Sequence, residues 1–195
     1  AFTAFEQSER VFDVEINPDD YNHFIRVSKQ IWNRIFYDIP ILDLLPRHGP
    51  GATAEKLNGN RKYLFTRWHE RLETFFPLLN YSFVNSDGIR TRRWRLMKYL
   101  PPNQEQPVRV IDVLKTLKTP RIIAIEPVCM QYAQQALMQC IVQILETDWM
   151  TAGHINFTDQ SINRQLALDS SRDGRKATID ESSASDRVPR DPALR

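Results

Sequence analysis

Two aspartates, Asp180 and Asp186, bracket a serine-rich turn in "ATIDESSASD", near the end of the 195-residue sequence. The apolar triplet Ala177-Thr178-Ile179 before them reads as a short strand that fixes Asp180 at a sheet edge. Hard divalent cations such as Mg2+ take one or two carboxylate oxygens and complete their shell with waters and phosphates, which makes Asp180 a candidate metal ligand. An aspartate ahead of serines equally suits a helix N-cap, with Asp180 or Ser182 capping residues 183 onward. The stretch by itself leaves both readings open.

Lys115, Lys118 and Arg121 lie sixty residues earlier, between the strand-like runs Val108 to Val113 and Ile122 to Ile125. In phosphoryl transfer the protein mainly positions groups and stabilises charge, so a triphosphate calls for cations on its oxygens and a metal towards the carboxylates. A short basic segment anchored by strands at both ends can supply those cations. The densest basic cluster is Arg90, Arg92, Arg93, Arg95 and Lys98, interleaved with Trp94 and Tyr99. Cations meet phosphates and rings stack on bases in single-strand binding; a merely solvated face is the alternative. A Gly-Pro-Gly loop at residues 49–51, with Arg47 and His48 before it and Lys56, Arg61 and Lys62 after it, can either approach a phosphate or serve as turn punctuation.

These groups need elements to hold them. Phe24, Val27, Ile31 and Ile35 recur at helical spacing in a segment that Pro40 ends, with core packing as the expected use. "YLFTRWHERLETFFPLL" reads as a second helix, and residues 85–88 as a turn. "VCMQYAQQALMQCIVQILET" predicts a helix of about twenty residues. Its core stripe would comprise Cys129, Ala133, Leu137, Cys140, Ile141, Ile144 and Leu145, with glutamines opposite. Residues 151–176 read as a polar connection with a turn at Arg172-Asp173-Gly174.

Charge is uneven: residues 1–46 carry −4, residues 47–121 carry +9 and residues 122–195 carry −3, for a net +2. A basic middle between acidic ends suits a polyanion partner. Cys129 and Cys140 have no Cys-x-x-Cys or Cys/His ligand spacing and read as buried reduced thiols. No apolar run approaches the length of a membrane span, and no basic-then-apolar leader opens the sequence. Cytosol is the expected compartment.

Three stretches in order, "KTLKTPRIIAIEP" (115–127), "FTDQSINRQLA" (157–167) and "ATIDESSASD" (177–186), resemble the RNA-directed RNA polymerase subunit of levivirus-type RNA bacteriophages. "RHGPGAT" (47–53) is similar to that family's loop, and the likeness spans about residues 47–188. The resemblance implies an α+β fold: the helix-rich N-terminal and fingers portion of a right-handed polymerase, with the first palm strand. The segments would be an N-terminal helical part (1–46), a basic fingers-like region (47–125), a helix and polar connection (126–176), the first palm motif (177–188) and a disordered tail (189–195). It implies Mg2+-dependent copying of an RNA template from nucleoside triphosphates, in the cytoplasm of a bacterial host and with host proteins as possible assistants.

By the same resemblance Asp180 is the catalytic metal ligand, with the Glu181 carbonyl beside it. Asp186 lies near the incoming ribose, and Lys115, Lys118 and Arg121 hold the triphosphate. Arg90, Arg92, Arg93, Arg95 and Lys98 are expected on RNA, and Glu126 is expected to pair with a cation of the triphosphate motif. Asn163 and Gln165 fit either nucleotide or template contacts or a local turn. The sequence has no Gly-Asp-Asp, and "PRDPALR" (189–195) departs from the family, so the expectation is an incomplete polymerase, inactive alone. A non-catalytic RNA- or nucleotide-binding fragment is the second reading. A metal-dependent nuclease ranks last, because it leaves the triphosphate motif unexplained.

Overall fold

Val110, Ile111 and Val113 on one run and Ile122, Ile123 and Ile125 on the next are β-branched, and they form the strands that such residues favour. In the computed structural model, which describes residues 17–37, 39–40, 43–82, 93–114, 120–177 and 179, these runs are β3 (Arg109–Leu114) and β4 (Pro120–Ile125). They pair antiparallel from Arg109↔Ile125 to Leu114↔Pro120. The other sheet pairs β1 (Arg67–His69) with β2 (Lys98–Leu100) in parallel. With helices α1 (Pro18–Ile35), α2 (Leu78–Tyr81), α3 (Val128–Thr147) and α4 (Ser161–Asp173), the architecture is α+β, as expected.

The chain divides into two compact units, residues 39–143 and residues 1–38 with 144–195. The core of the 39–143 unit packs Leu44, Phe65, Trp68, Leu72, Phe76 and Leu78 against Val128, Cys129, Tyr132, Ala133 and Ala136 of α3. The twenty-residue helix is present as expected, but its stripe is shifted: Leu137 is exposed, while Val128, Tyr132 and Ala136 are buried. Alanines at 133 and 136 let the aromatic residues of 65–76 approach the helix closely. The glutamines do not simply face water, since Gln131 Nε2 donates to the Ala52 carbonyl at 2.9 Å. Cys129 and Cys140 are free thiols, and burial pushes Cys129 up to about 11, which keeps it protonated and inert.

The expected helix over 63–79 does not form. A 3-10 turn (Gly59–Tyr63), β1, a second 3-10 turn (Glu70–Leu72) and the four-residue α2 replace it. Phe65, Trp68, Leu72 and Phe76 do recur at helical spacing, and all are buried. Trp68 and the adjacent His69 are, however, 0% and 1% exposed. Consecutive residues that are both enclosed need neighbours on two opposite sides. Strand pairing and the Gln106 backbone, whose N–H donates to His69 Nε2 at 3.2 Å, provide them.

In the other unit, α1 starts on Asn17, whose side chain accepts from the Asp19 N–H at 2.9 Å, with Pro18 in the first turn. Of its four periodic apolar residues only Ile35 is buried and Phe24 is exposed, so core packing is confined to the helix end. There Arg34 bonds both Asp148 carboxylate oxygens, at 2.9 and 3.3 Å, and lies 4.7 Å over the Trp149 ring. The polar connection after α3 contains a helix the sequence reading lacks, α4. It ends on Gly174 at φ 65°, where a left-handed residue closes the last turn. Of the strand expected before Asp180, Ala177 and Ile179 are exposed and assigned to no strand, and Thr178 lies outside the described residues.

Candidate functional site: a basic hairpin on an anchored base

The β3–β4 hairpin places the triphosphate motif. Its last pair is Leu114↔Pro120; Lys115 and Lys118 lie outside the described residues. Arg121 is described: it stands opposite Val113 on β4 and is exposed. Val110 and Ile122 lie on the hairpin's other face and are exposed as well. The base of the hairpin is tied down.

Three hydrogen-bonded contacts and one buried residue do the tying. Arg109 donates to the Thr53 carbonyl at 3.2 Å, the Ala54 N–H donates to the Glu126 carbonyl at 2.9 Å, and Ile125 is buried. The Glu55 carboxylate accepts the Val128 N–H at 3.1 and 3.0 Å, capping the first turn of α3 from seventy-three residues away. A negative charge also suits the positive end of the helix dipole. Two of the stretches that carry the family resemblance, 47–53 and 115–127, are therefore joined through residues 53–55. Glu55→Ala is expected to lower unfolding free energy by about 1–2 kcal/mol, the usual cost of a lost N-cap acceptor, read as a drop in urea midpoint. An unchanged midpoint would mean that water replaces the cap.

At the Gly-Pro-Gly loop, Lys62 and His48 serve the architecture, while Arg47, Lys56 and Arg61 are exposed. Lys62 is only 4% exposed, and its ammonium donates to the Gly49 carbonyl at 2.7 Å and to the Gly51 carbonyl. That charge serves backbone oxygens rather than phosphate. Thr53 is wholly buried, and its hydroxyl oxygen accepts the Leu57 N–H at 3.1 Å. His48 packs edge-on to Tyr63 and tilted against Phe65 and Tyr132, with ring centroids 4.6, 5.7 and 4.7 Å away.

Burial, helped by the Lys62 charge, pushes the His48 imidazole from 6.5 down to about 4. Between those values the unfolded chain binds a proton that the folded chain refuses. Stability is therefore full above the unfolded value, falls as pH drops towards 4, and levels off below it. His69, also lowered by burial, acts in the same direction. His48→Phe, which keeps a ring in the cage, is expected to shrink the difference in urea midpoint between about pH 7 and about pH 4.5. An undiminished difference would assign the loss to other groups.

The second motif is fixed from α3. The Glu146 carboxylate accepts the N–H of Phe157 at 2.6 Å and both the N–H and the hydroxyl of Thr158 at 2.7 Å; these bonds hold its carboxyl below the usual range. Asp159 Oδ1 accepts the Ser161 N–H at 2.8 Å at the start of α4. Asn163 Nδ2 donates to Gln160 Oε1 at 2.9 Å and Gln165 Nε2 to Asp169 Oδ1 at 2.8 Å. The described contacts of both residues are local, to Gln160 at the start of α4 and to Asp169 one turn along it.

Of the expected RNA-binding residues, Arg90 and Arg92 lie outside the described residues and Arg93 is described by backbone alone, in a 3-10 turn (Arg93–Leu96). Arg95 and Lys98 are exposed, Lys98 as the first residue of β2. Asp180, Glu181 and Asp186 lie outside the described residues. Among the described residues no group of three His, Cys, Asp or Glu side chains could hold a metal ion, and Glu126 forms no ion pair. No described helix is long and apolar enough to cross a membrane.

The described part of the K-x-x-K-T-x-R motif, Pro120 and Arg121, lies on β4, and the D-Q-S-x-N motif lies at the start of α4. Residues 102–191 match the family described as RNA replicase, beta-chain. The match covers β3, β4, α3, α4 and the sequence through Asp186, which bears out the resemblance drawn from the three motifs. No curated protein matches the chain, and no solved structure does.

Proposed function

We propose that this chain contributes the fingers and first palm motif of an RNA-directed RNA polymerase that copies a phage genome in the cytoplasm of its bacterial host. The observation that carries the reading is the replicase beta-chain match over residues 102–191, which contains all three motifs. Lys115, Lys118 and Arg121 would hold the triphosphate of an incoming nucleotide. Arg90, Arg92, Arg93, Arg95 and Lys98 would line the path of the RNA, and Asp186 would accept a hydrogen bond from the ribose 2′-hydroxyl, which separates ribo- from deoxyribonucleotides.

Asp180 and the Glu181 carbonyl offer hard oxygen donors, the set that Mg2+ prefers alongside waters and phosphates. When bound, the ion supplies neutralisation of charge on the transferring phosphoryl group. A two-metal site needs more carboxylates than this motif provides, so these residues work together with a Gly-Asp-Asp-bearing segment, and host proteins would assist as elsewhere in the family. The alternative is an RNA-binding fragment without catalysis, favoured by the +9 charge of residues 47–121.

Template-directed incorporation of labelled nucleotide with Mg2+ is the test. These 195 residues alone are expected to give background, and a polymerase that carries them together with a Gly-Asp-Asp segment is expected to incorporate. Incorporation by the 195 residues alone would defeat the fragment reading. Background from both would leave only the binding module.

A further inference from the structure

Like charges placed side by side on a sheet are destabilising, and β1–β2 carries such a pair: Arg67 and Lys98 are Cα partners on parallel strands. In a parallel pair, partners project to the same face about 4.8 Å apart, so the two cations share one exposed edge of the 39–143 unit. Among the described residues neither forms an ion pair. The neighbouring Arg71 differs, since its guanidinium is bound by the Glu105 carboxylate at 2.9 Å. Arg67 is held instead by a neutral acceptor, Gln106 Oε1 at 3.1 Å, which orients the guanidinium without cancelling its charge. The Gln106 backbone is itself fixed to the buried His69.

We propose that Arg67 and Lys98 form a clamp for the backbone phosphates of a single RNA strand, with Gln106 as the residue that positions Arg67. The proposal rests on the RNA-copying reading above and extends the RNA path to a residue outside the basic cluster, on a strand 31 positions earlier in register. A guanidinium and an ammonium side by side match the two oxygens of one phosphate or those of successive phosphates, and neither reads base identity.

The test uses the full 195-residue chain and a labelled single-stranded RNA of about twelve nucleotides, with affinity measured across salt concentrations. Each neutralised phosphate contributes about 0.7 to the slope of log affinity against log salt for single strands. Arg67→Ala and Lys98→Ala are each expected to flatten the slope by about 0.7, and the double variant by about 1.4. Arg67→Lys keeps the slope. Gln106→Ala weakens affinity a few-fold with the slope unchanged, which a purely structural role would not produce, and Arg71→Ala leaves both as they were. Both clamp residues are exposed, so the circular dichroism of the variants is expected to match the unsubstituted chain, and relief of the like-charge pair is expected to hold the urea midpoint level or raise it slightly.

A wild-type slope in the double variant overturns the clamp and leaves the RNA reading intact. Absence of RNA binding by the unsubstituted chain overturns both. If the double variant instead loses affinity for ATP titrated alone while the RNA slope holds, the pair serves a nucleotide, and the clamp is likewise overturned.

Discussion

Asp180→Asn is expected to cut template-directed nucleotide incorporation at least about a thousandfold, in a polymerase that carries these residues with a Gly-Asp-Asp segment, while RNA affinity stays within about twofold. The amide has nearly the shape of the carboxylate but lacks its charge. Ligation of a hard cation by oxygen rests on that charge. Metal-borne stabilisation of a phosphoryl transition state is worth several kcal/mol, and each 1.36 kcal/mol is tenfold in rate, so losing about 4 kcal/mol gives the thousandfold. RNA affinity comes from cations on phosphates, which the substitution leaves untouched. The two readouts therefore separate chemistry from binding. A variant that retains more than about a tenth of the activity would return Asp180 to its other reading, a helix cap, for which asparagine is as good as aspartate.

The elements that were legible in the sequence are those whose pattern has one physical solution. The β-branched runs flanking Lys115 to Arg121 pair as a hairpin, and the long periodic segment from Val128 is a twenty-residue helix. The 63–79 segment misled because its 3.6-like spacing is also produced by irregular chain packed against α3; its strand depends on pairing with Lys98–Leu100, about thirty residues on. α4 escaped notice because none of its residues is buried. It shows no apolar stripe strong enough to mark it, and local bonds from Asp159, Asn163 and Gln165 accompany it instead. Glu55 and Gln131 act through tertiary contacts, at separations no local pattern reports. At the site the roles come from motif likeness, and the geometry adds how the hairpin base is fixed, with Arg121 at the edge of what is described.

Lys62→Met is expected to lower the unfolding free energy by about 2–4 kcal/mol and to loosen residues 47–55 before the rest of the 39–143 unit. Methionine fills much of the lysine stem's volume, so the loss comes from the ammonium and not from a cavity. Hydrogen bonds from a charged donor contribute about 1.5–3 kcal/mol each, and removing the donor leaves the Gly49 and Gly51 carbonyls short of a partner inside the fold. Those carbonyls belong to the loop that ends in Thr53, Ala54 and Glu55, which anchor Arg109, Glu126 and the first turn of α3. The effect should therefore travel to the hairpin base. Hydrogen exchange is the decisive measurement: the Ala54 and Val128 amides, both bonded across this junction, are expected to lose protection together, while amides in the middle of α3 keep theirs until global unfolding. Protection lost evenly over the whole unit would show that Lys62 contributes to general stability alone. Protection unchanged at Ala54 and Val128, with a lower urea midpoint, would confine its role to the loop. If the coupled loss is found, Lys62, one of the lysines that the sequence offered to phosphate, is the residue that lets the neighbouring cations be presented from a rigid base.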